Sequence, residues 1–217
     1  MTQFAWIARC IHIDRTIKQF LALHPKASII NLGCGLDTTF ERVDNGFLQW
    51  YDLDLPDVIR LRREFIPENP RRAFLSCSLL EDDWNQALKN TDHLFFFAAG
   101  VLYYFEESQM KGFFKKLADV FPGCEIIFDA ASELGVRVAN KKVIAEGGMD
   151  RDSMLKWGME HAKTIELWDK RITVLEEYPL FKKVKSPLPM KNKIGMMMSD
   201  LLNIMFMVHL KFSRSNH

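Results

Sequence analysis

The stretch Ser28-Ile29-Ile30-Asn31-Leu32-Gly33-Cys34-Gly35-Leu36-Asp37-Thr38 joins a short apolar run to a turn built on two glycines. Ile29, Ile30 and Leu32 have the length and branching of a buried parallel strand rather than of a helix. Gly33 and Gly35 follow at once, and a residue without Cβ takes backbone angles closed to others and lets a ligand approach the main chain. This combination reads as a nucleotide cradle, although tight strand-to-helix turns also use glycine for purely structural reasons. The second strand, Gln49-Trp50-Tyr51-Asp52-Leu53-Asp54, ends in two carboxylates. An acid about 20 residues beyond such a turn is placed to hold the ribose hydroxyls of an adenosine.

A dinucleotide fingerprint requires a third glycine three residues after Gly35, where this chain has Thr38. That disfavours NAD, and with it a nucleotide-binding oxidoreductase. S-adenosylmethionine carries adenosine without a pyrophosphate, so the turn and its acid point to a methyltransferase.

Composition bounds the rest. The chain has 217 residues, 48% of them apolar and 26% charged, which suits one large α/β domain spanning 1–217. A formal net charge of +1 gives no steering toward nucleic acid or an anionic membrane, so a small-molecule partner is expected. Cys10, Cys34, Cys77 and Cys124 are scattered without a C-x-x-C pair, as in a reducing cytoplasm. The 6 histidines show no paired spacing that would build a zinc site, and no metal is expected. No signal peptide is readable. The longest apolar stretch, 196–210, is broken by Ser199, Asp200, Asn203 and His209, so a soluble cytoplasmic protein is expected.

Working outward from the glycine turn, apolar residues at helical spacing predict a helix over 7–23, closed by Pro25. A short helix over 40–47, a helix over 57–65, a strand over 73–76 and a short helix over 84–88 follow. The run 93–100, rich in Phe and Ala, reads as a central strand opening on Tyr103 and Tyr104. Residues 106–120 are amphipathic, with Met110, Phe113, Phe114, Leu117 and Phe121 on one side, and 124–130 form a fifth strand closing on Asp129. Alternation of this kind argues for a doubly wound, mostly parallel sheet with helices on both faces, whose ligand sits at the carboxyl ends of the strands. Past Ser132, helices are expected over 133–145 and 153–168, a pair that would form a helical lid bearing Trp157, His161 and Trp168. Late strands over 171–177 and 206–212, with a helix over 196–204 between them, complete a seven-stranded sheet. Met196, Met197 and Met198 read as core packing.

In this order and spacing, NLGCGLDTTF (31–40), WYDLDLP (50–56) and FFFAAGVLYYF (95–105) closely resemble the leucine carboxyl methyltransferase family. The likeness is to its bacterial branch, which is similar to polyketide O-methyltransferases, and it extends to the lid segment MLKWGMEHAKTIELW (154–168). The resemblance implies a class I methyltransferase fold, S-adenosylmethionine as donor and S-adenosylhomocysteine as product. In ARCIHIDRTIKQFL (8–21), Arg9 matches the family arginine that grips the methionine carboxylate, a task suited to a planar, permanently charged group. Gly33 and Gly35 match the glycines beside the methionine moiety, and Asp37 is expected to brace the turn or meet the amino group. Asp54 matches the ribose-binding acid, with Asp52 in the same strand phase as a second choice. A helix cap ahead of Pro56 is the structural alternative for either. Ser78 and Leu79 fall where relatives place adenine contacts.

Two departures accompany these matches. Many relatives have glutamate where this chain has Ala99, just before Gly100, and Ala99 makes no ionic contact; the expectation is either weaker donor affinity or an amino group held by backbone carbonyls near Gly33 and Ala98. Relatives also carry an N-terminal cap of several dozen residues before the first helix, so a more open acceptor pocket or an incomplete chain is expected. No catalytic residue is singled out. Tyr104, His93 and His161 are the candidate bases for a hydroxyl acceptor, none of them compelling, and Trp157 and Trp168 either cap an aromatic acceptor or anchor the lid. The expected function is O-methylation of a carboxyl or hydroxyl group of a small molecule. The alternative is a catalytically weakened S-adenosylmethionine-binding protein of the same fold. Oligomeric state is left open.

Overall fold

In a parallel sheet covered on both faces, every strand residue meets a core, so strands read as continuous apolar runs. The computed structural model, which describes residues 2–88, 92–141, 153–182, 184 and 190–214, is built on this rule. Its strands are β1 (Ser28–Leu32), β2 (Gln49–Asp54), β3 (Arg72–Ser76), β4 (Leu94–Ala98), β5 (Glu125–Ala131), β6 (Ile172–Pro179) and β7 (Met205–Phe212). They form a 7-stranded sheet in the order β3-β2-β1-β4-β5-β7-β6. β1 to β5 pair in parallel, and β7 lies antiparallel between β5 and β6.

Side chains alternate across the sheet with the strand period of two. On β4, Phe95 and Phe97 enter one core layer while Phe96 and Ala98 enter the other. The first layer is covered by α1 (Thr2–Leu23), through Ile13, Ile17 and Phe20, and by α2 (Thr39–Val43), through Phe40 and Val43. α3 (Pro56–Phe65) follows β2, with Pro56 at the position where a missing N–H costs nothing. The second layer is covered by α4 (Trp84–Ala87), through Trp84, and by α5 (Glu107–Val120), through Met110, Phe113, Phe114 and Leu117. The expected seven-stranded, doubly wound α/β sheet is therefore the observed one. Among the described residues no helix is long and apolar enough to cross a membrane.

The segment after β5 departs from expectation. α6 (Glu133–Ala139) forms with Ser132 as its N-cap, the Ser132 hydroxyl accepting from Gly135 N–H at 3.1 Å. The rest of the helix expected over 133–145 falls largely outside the described residues. Residues 153–168, expected as one helix, contain only the single turn α7 (Lys163–Glu166). The backbone is claimed by tertiary partners instead. Lys156 and Trp157 N–H donate to the Tyr103 carbonyl at 2.7 and 3.1 Å, and Met159 N–H donates to the Ala131 carbonyl at 2.9 Å. Trp157 is 5% exposed and lies 5.8 Å from Trp168, both rings packing near Phe114. The tryptophans thus anchor this segment to the second core layer. α8 (Met190–Leu201) precedes β7, and it buries Met196 while Met197 and Met198 are 63% and 44% exposed. Only the first of the three methionines is core.

Beneath the first core layer sits a buried ionic network. Asp52 is 0% exposed, and its Oδ1 accepts from Trp50 Nε1 at 2.8 Å and Asn31 Nδ2 at 3.1 Å. Its Oδ2 accepts from Arg62 Nη2 at 2.9 Å and Arg72 Nε at 2.8 Å. Removing one partner of such a set strands buried charge, at about 3–5 kcal/mol. Asp52→Asn leaves both arginines under-compensated, so chemical denaturation in urea is expected to show a loss of about 3 kcal/mol or more.

A second electrostatic contact ties the sheet edge to α5. Arg171 donates to Asp169 Oδ1 at 2.9 Å, Asp119 Oδ1 at 2.7 Å and the Ala118 carbonyl at 3.3 Å. The hydrogen bonds from Arg171 pull the Asp169 carboxyl down to about 2. A depressed acid stabilises the fold above its ordinary range near 4, and that stabilisation is lost as pH falls through the folded value. Asp169→Asn is therefore expected to lower the melting temperature at neutral pH, with the gap to wild type closing as melts are taken toward pH 2.

Candidate functional site

The parallel register aligns the strand ends. Leu32 pairs with both Leu53 and Ala98, Leu53 with Leu75, and Ala98 with Phe128. One residue further along each chain stand Gly33, Asp54, Ser76, Ala99 and Asp129, a row across the carboxyl edge of the sheet. Such edges hold the ligands of open α/β sheets. α1 reaches the same edge from above. Its Phe20 ring lies 4.9 Å from Phe95 near the start of β4. Eleven helical residues rise about 16 Å. Five strand residues, from Phe95 to Gly100, span about the same distance. Arg9 accordingly meets Gly100.

The glycine turn is pinned from three sides. Gly33 and Cys34 N–H both donate to the Leu53 carbonyl, at 2.8 and 3.1 Å. Gly33 has φ +65°, and a Cβ there would lie 2.6 Å from Val101 Cγ2, so both backbone angle and packing require glycine. Gly35 has φ +46°, yet a Cβ there would meet nothing within 4 Å, which leaves its face open to an arriving group. From behind, Arg62 donates to the carbonyls of Gly35 and Asp37, each at 2.8 Å. Asp37 braces the turn as expected: its carboxylate accepts from Thr39 N–H at 2.8 Å and Thr39 Oγ1 at 3.0 Å, opening α2. Burial pushes the Cys34 thiol well above its ordinary range, assisted by Asp52, so it carries no thiolate.

The two candidate ribose acids separate cleanly. Asp54 is half-buried at the edge, and among the described residues its oxygens accept only backbone N–H groups, Gly35 at 2.8 Å and Leu55 at 2.8 Å. It is tied to the turn while keeping acceptor capacity toward the edge. Asp52, one strand position inward on the same phase, is sealed in the arginine network and presents nothing to a ligand. Its expected cofactor contact is therefore corrected to a structural role. Ser78 is half-buried in the loop after β3, where its hydroxyl accepts from Leu80 N–H at 3.2 Å. Leu79, expected as an apolar wall for adenine, is 4% exposed and packs into the second core layer. It also lines, with Leu80, Phe113 and Lys116, a groove of about 440 Å³ along α5 that includes none of the glycine-turn residues.

At the other end of the row, Arg9 Nη1 donates to Asp129 Oδ2 at 2.8 Å and to Tyr103 Oη at 3.4 Å. Gly100, at φ +77°, donates its N–H to Asp129 Oδ1 at 2.6 Å, and a Cβ on it would lie 2.4 Å from Arg9 Nη1. Burial alone would lower the Arg9 pKa, but Asp129 and Tyr103 outweigh it and the net shift is upward. Burial raises Tyr103 and Tyr104 above the ordinary phenol range, so both are neutral hydroxyls near pH 7. Ala99 is half-buried against the α1 side of the core. Of the histidines weighed as bases, His93 stacks on His24 at 3.7 Å at the opposite, amino edge of the sheet, and His161 pairs with Glu177 at 3.2 Å. Tyr104 lies beside Tyr103 at a ring distance of 5.1 Å. Sequence reading passed over Asp129 and Arg62. The first was visible as the terminal acid of β5; the second, in the middle of an amphipathic helix, carried no signal.

A profile of the leucine carboxyl methyltransferase family matches residues 1–118. The chain is 26% identical over 159 residues to the tetracenomycin polyketide synthesis O-methyltransferase TcmP of Streptomyces glaucescens, an alignment covering 73% of this chain and 58% of that protein. It therefore spans little more than half the length of that relative. Among solved structures, a DUF574 family protein from Streptomyces avermitilis superposes with a TM-score of 0.68 at 12% identity, over 95% of this chain and 82% of that one. The N-methyltransferase NodS of Bradyrhizobium japonicum, in complex with S-adenosyl-L-homocysteine, gives 0.55 at 14% identity, over 93% and 86%. Magnesium protoporphyrin IX methyltransferase of Synechocystis PCC 6803, with S-adenosylhomocysteine bound, gives 0.57 at 13%, over 95% and 84%. These likenesses carry the fold, and the profile match over the glycine turn, the acid strand and the Arg9 helix carries the family. The chain belongs to the leucine carboxyl methyltransferase family.

Proposed function

We propose that this chain is an S-adenosylmethionine-dependent O-methyltransferase acting on a carboxyl or hydroxyl group of a small molecule. The observation that carries the reading is the row at the carboxyl edge, with an open glycine turn, a half-buried acid and a buried arginine in one crevice. These residues fit the donor's parts. Asp54 offers acceptors to ribose hydroxyls, Gly35 leaves room beside its main chain, Ser78 offers a hydroxyl near adenine, and Arg9 offers a cation to the methionine carboxylate. The buried Arg9 Nε, without a hydrogen-bond partner among the described residues, supports a site built for an arriving anion. When bound, the donor supplies a methyl carbon on a sulfonium, open to in-line attack by an acceptor oxygen.

The chain's share in such a transfer is chiefly alignment, which contributes about 7–11 kcal/mol where reacting groups are held well. A carboxylate acceptor arrives ionised and needs no base. For a hydroxyl acceptor, Tyr104 is the more exposed of the two phenols near the edge, and its raised pKa suits it to hydrogen bonding rather than proton removal at neutral pH. The partner is a small molecule, without nucleic acid or membrane, and residues 1–217 work as one methyltransferase domain in the cytoplasm. Four free cysteines support a reducing compartment. Ala99 in place of the relatives' glutamate favours a second reading, a protein of this fold that binds the donor and transfers weakly.

Incubation with methyl-labelled S-adenosylmethionine and a panel of aromatic and aliphatic acids and phenols separates the two. Transfer of label is expected, base-labile for a methyl ester and base-stable for an ether, and to fall about tenfold or more in Asp54→Ala. Donor binding without transfer to any acceptor supports the weakened protein, and binding of NAD in preference to the adenosyl donor contradicts both.

A further inference from the structure

Arg9 and Asp129 form the one ion pair that joins α1 to the carboxyl edge among the described residues, and its geometry is asymmetric. Both acceptors that touch the guanidinium, Asp129 Oδ2 at 2.8 Å and Tyr103 Oη at 3.4 Å, take the same nitrogen, Nη1. Nε is buried and unpartnered, and Nη2 makes no hydrogen bond among the described residues. The Nε and Nη2 edge is the side of a guanidinium that two parallel carboxylate oxygens match. Asp129 thus occupies one corner of the arginine and leaves the bidentate edge unused.

Asp129 is itself held. Its side chain is 0% exposed, and its other oxygen accepts the Gly100 N–H at 2.6 Å. That bond locks the carboxylate to the turn after β4, where Gly100 is the residue whose missing side chain makes room for the guanidinium. A buried arginine without this partner would carry an uncompensated charge and lose its fixed orientation.

We propose that Asp129 is a positioning residue for the amino-acid end of the donor: it pins Arg9 by Nη1 against Gly100 so that Nε and Nη2 are presented to a carboxylate. The proposal rests on the S-adenosylmethionine reading given above. It places in β5, at Asp129, the acid on which the cation site depends, whereas the donor's adenosine end is served by β2 and the loop after β3.

Calorimetric titration of the full chain with S-adenosylhomocysteine and with 5′-methylthioadenosine, which keeps the adenosine and thioether but lacks the amino-acid end, tests it. Wild type is expected to bind the first more tightly. Asp129→Asn, nearly isosteric, is expected to weaken S-adenosylhomocysteine about tenfold or more while changing 5′-methylthioadenosine less than about twofold. The same change in an Arg9→Ala background is expected to add little, because both act through one guanidinium. Equal weakening of both ligands in Asp129→Asn, unchanged S-adenosylhomocysteine binding, or equal wild-type affinities for the two ligands would overturn the proposal. Should Asp129→Asn fail to fold, Gly100→Ala, which crowds the guanidinium and strains the turn that holds Asp129, must show the same selective loss or the proposal falls. Wild type that binds neither ligand removes the donor reading itself, an outcome distinct from all of these.

Discussion

Two arginines on one buried carboxylate hold this molecule's functional edge in shape. Asp52 at the centre of β2 collects Arg62 from α3, Arg72 from β3, Asn31 from β1 and the Trp50 indole, so four stretches of chain converge on a group with no solvent. Arg62 then continues past the carboxylate to the Gly35 and Asp37 carbonyls. A glycine turn with positive φ at two positions has little intrinsic reason to stay in one conformation. Here its inner face is held by Arg62 and by the Leu53 carbonyl, while its outer face stays open. Buried ion pairs of this kind add little net stability over apolar packing, and their use here is to specify geometry.

The same logic appears at the far end of the row. Arg9 is brought to the edge by the length of α1, and its charge is balanced by Asp129, which is in turn fixed by the Gly100 backbone. Arginine at both ends of the crevice serves opposite ends of the arrangement: both terminal nitrogens of Arg62 are committed to protein acceptors, while Arg9 uses Nη1 alone among the described residues. The distinction follows from counting partners, since both side chains are largely buried.

Much of this was legible in the sequence. Strand and helix order followed from apolar runs punctuated by Gly33, Pro56, Gly100 and Gly123, because a doubly covered sheet leaves its strands no reason to alternate. The positions of the glycine turn and of Asp54 at the carboxyl edge were legible because each closes an apolar strand run. Asp52 was misread because two acids on one strand phase look alike in sequence; only burial and the arginines above it separate them. The lid helix was misread because Trp157, His161 and Trp168 carry a spacing that fits a helix face. The structure spends the backbone of Lys156, Trp157 and Met159 on Tyr103 and Ala131 instead, a tertiary override of local preference. Asp129 lay in plain view at the end of β5, but its significance depends on Arg9, 120 residues away.

The proposed function lays a donor across the carboxyl ends of β1, β2 and β4, with its adenosine toward Asp54 and its charged end toward Arg9. A crystal structure of the chain with S-adenosylhomocysteine is the most direct test of that placement. Density following the glycine turn, with ribose at Asp54 and the carboxylate on the Nε and Nη2 edge of Arg9, is the expected result. Ligand found instead in the groove along α5, or lying across the edge in the reverse sense, would contradict it.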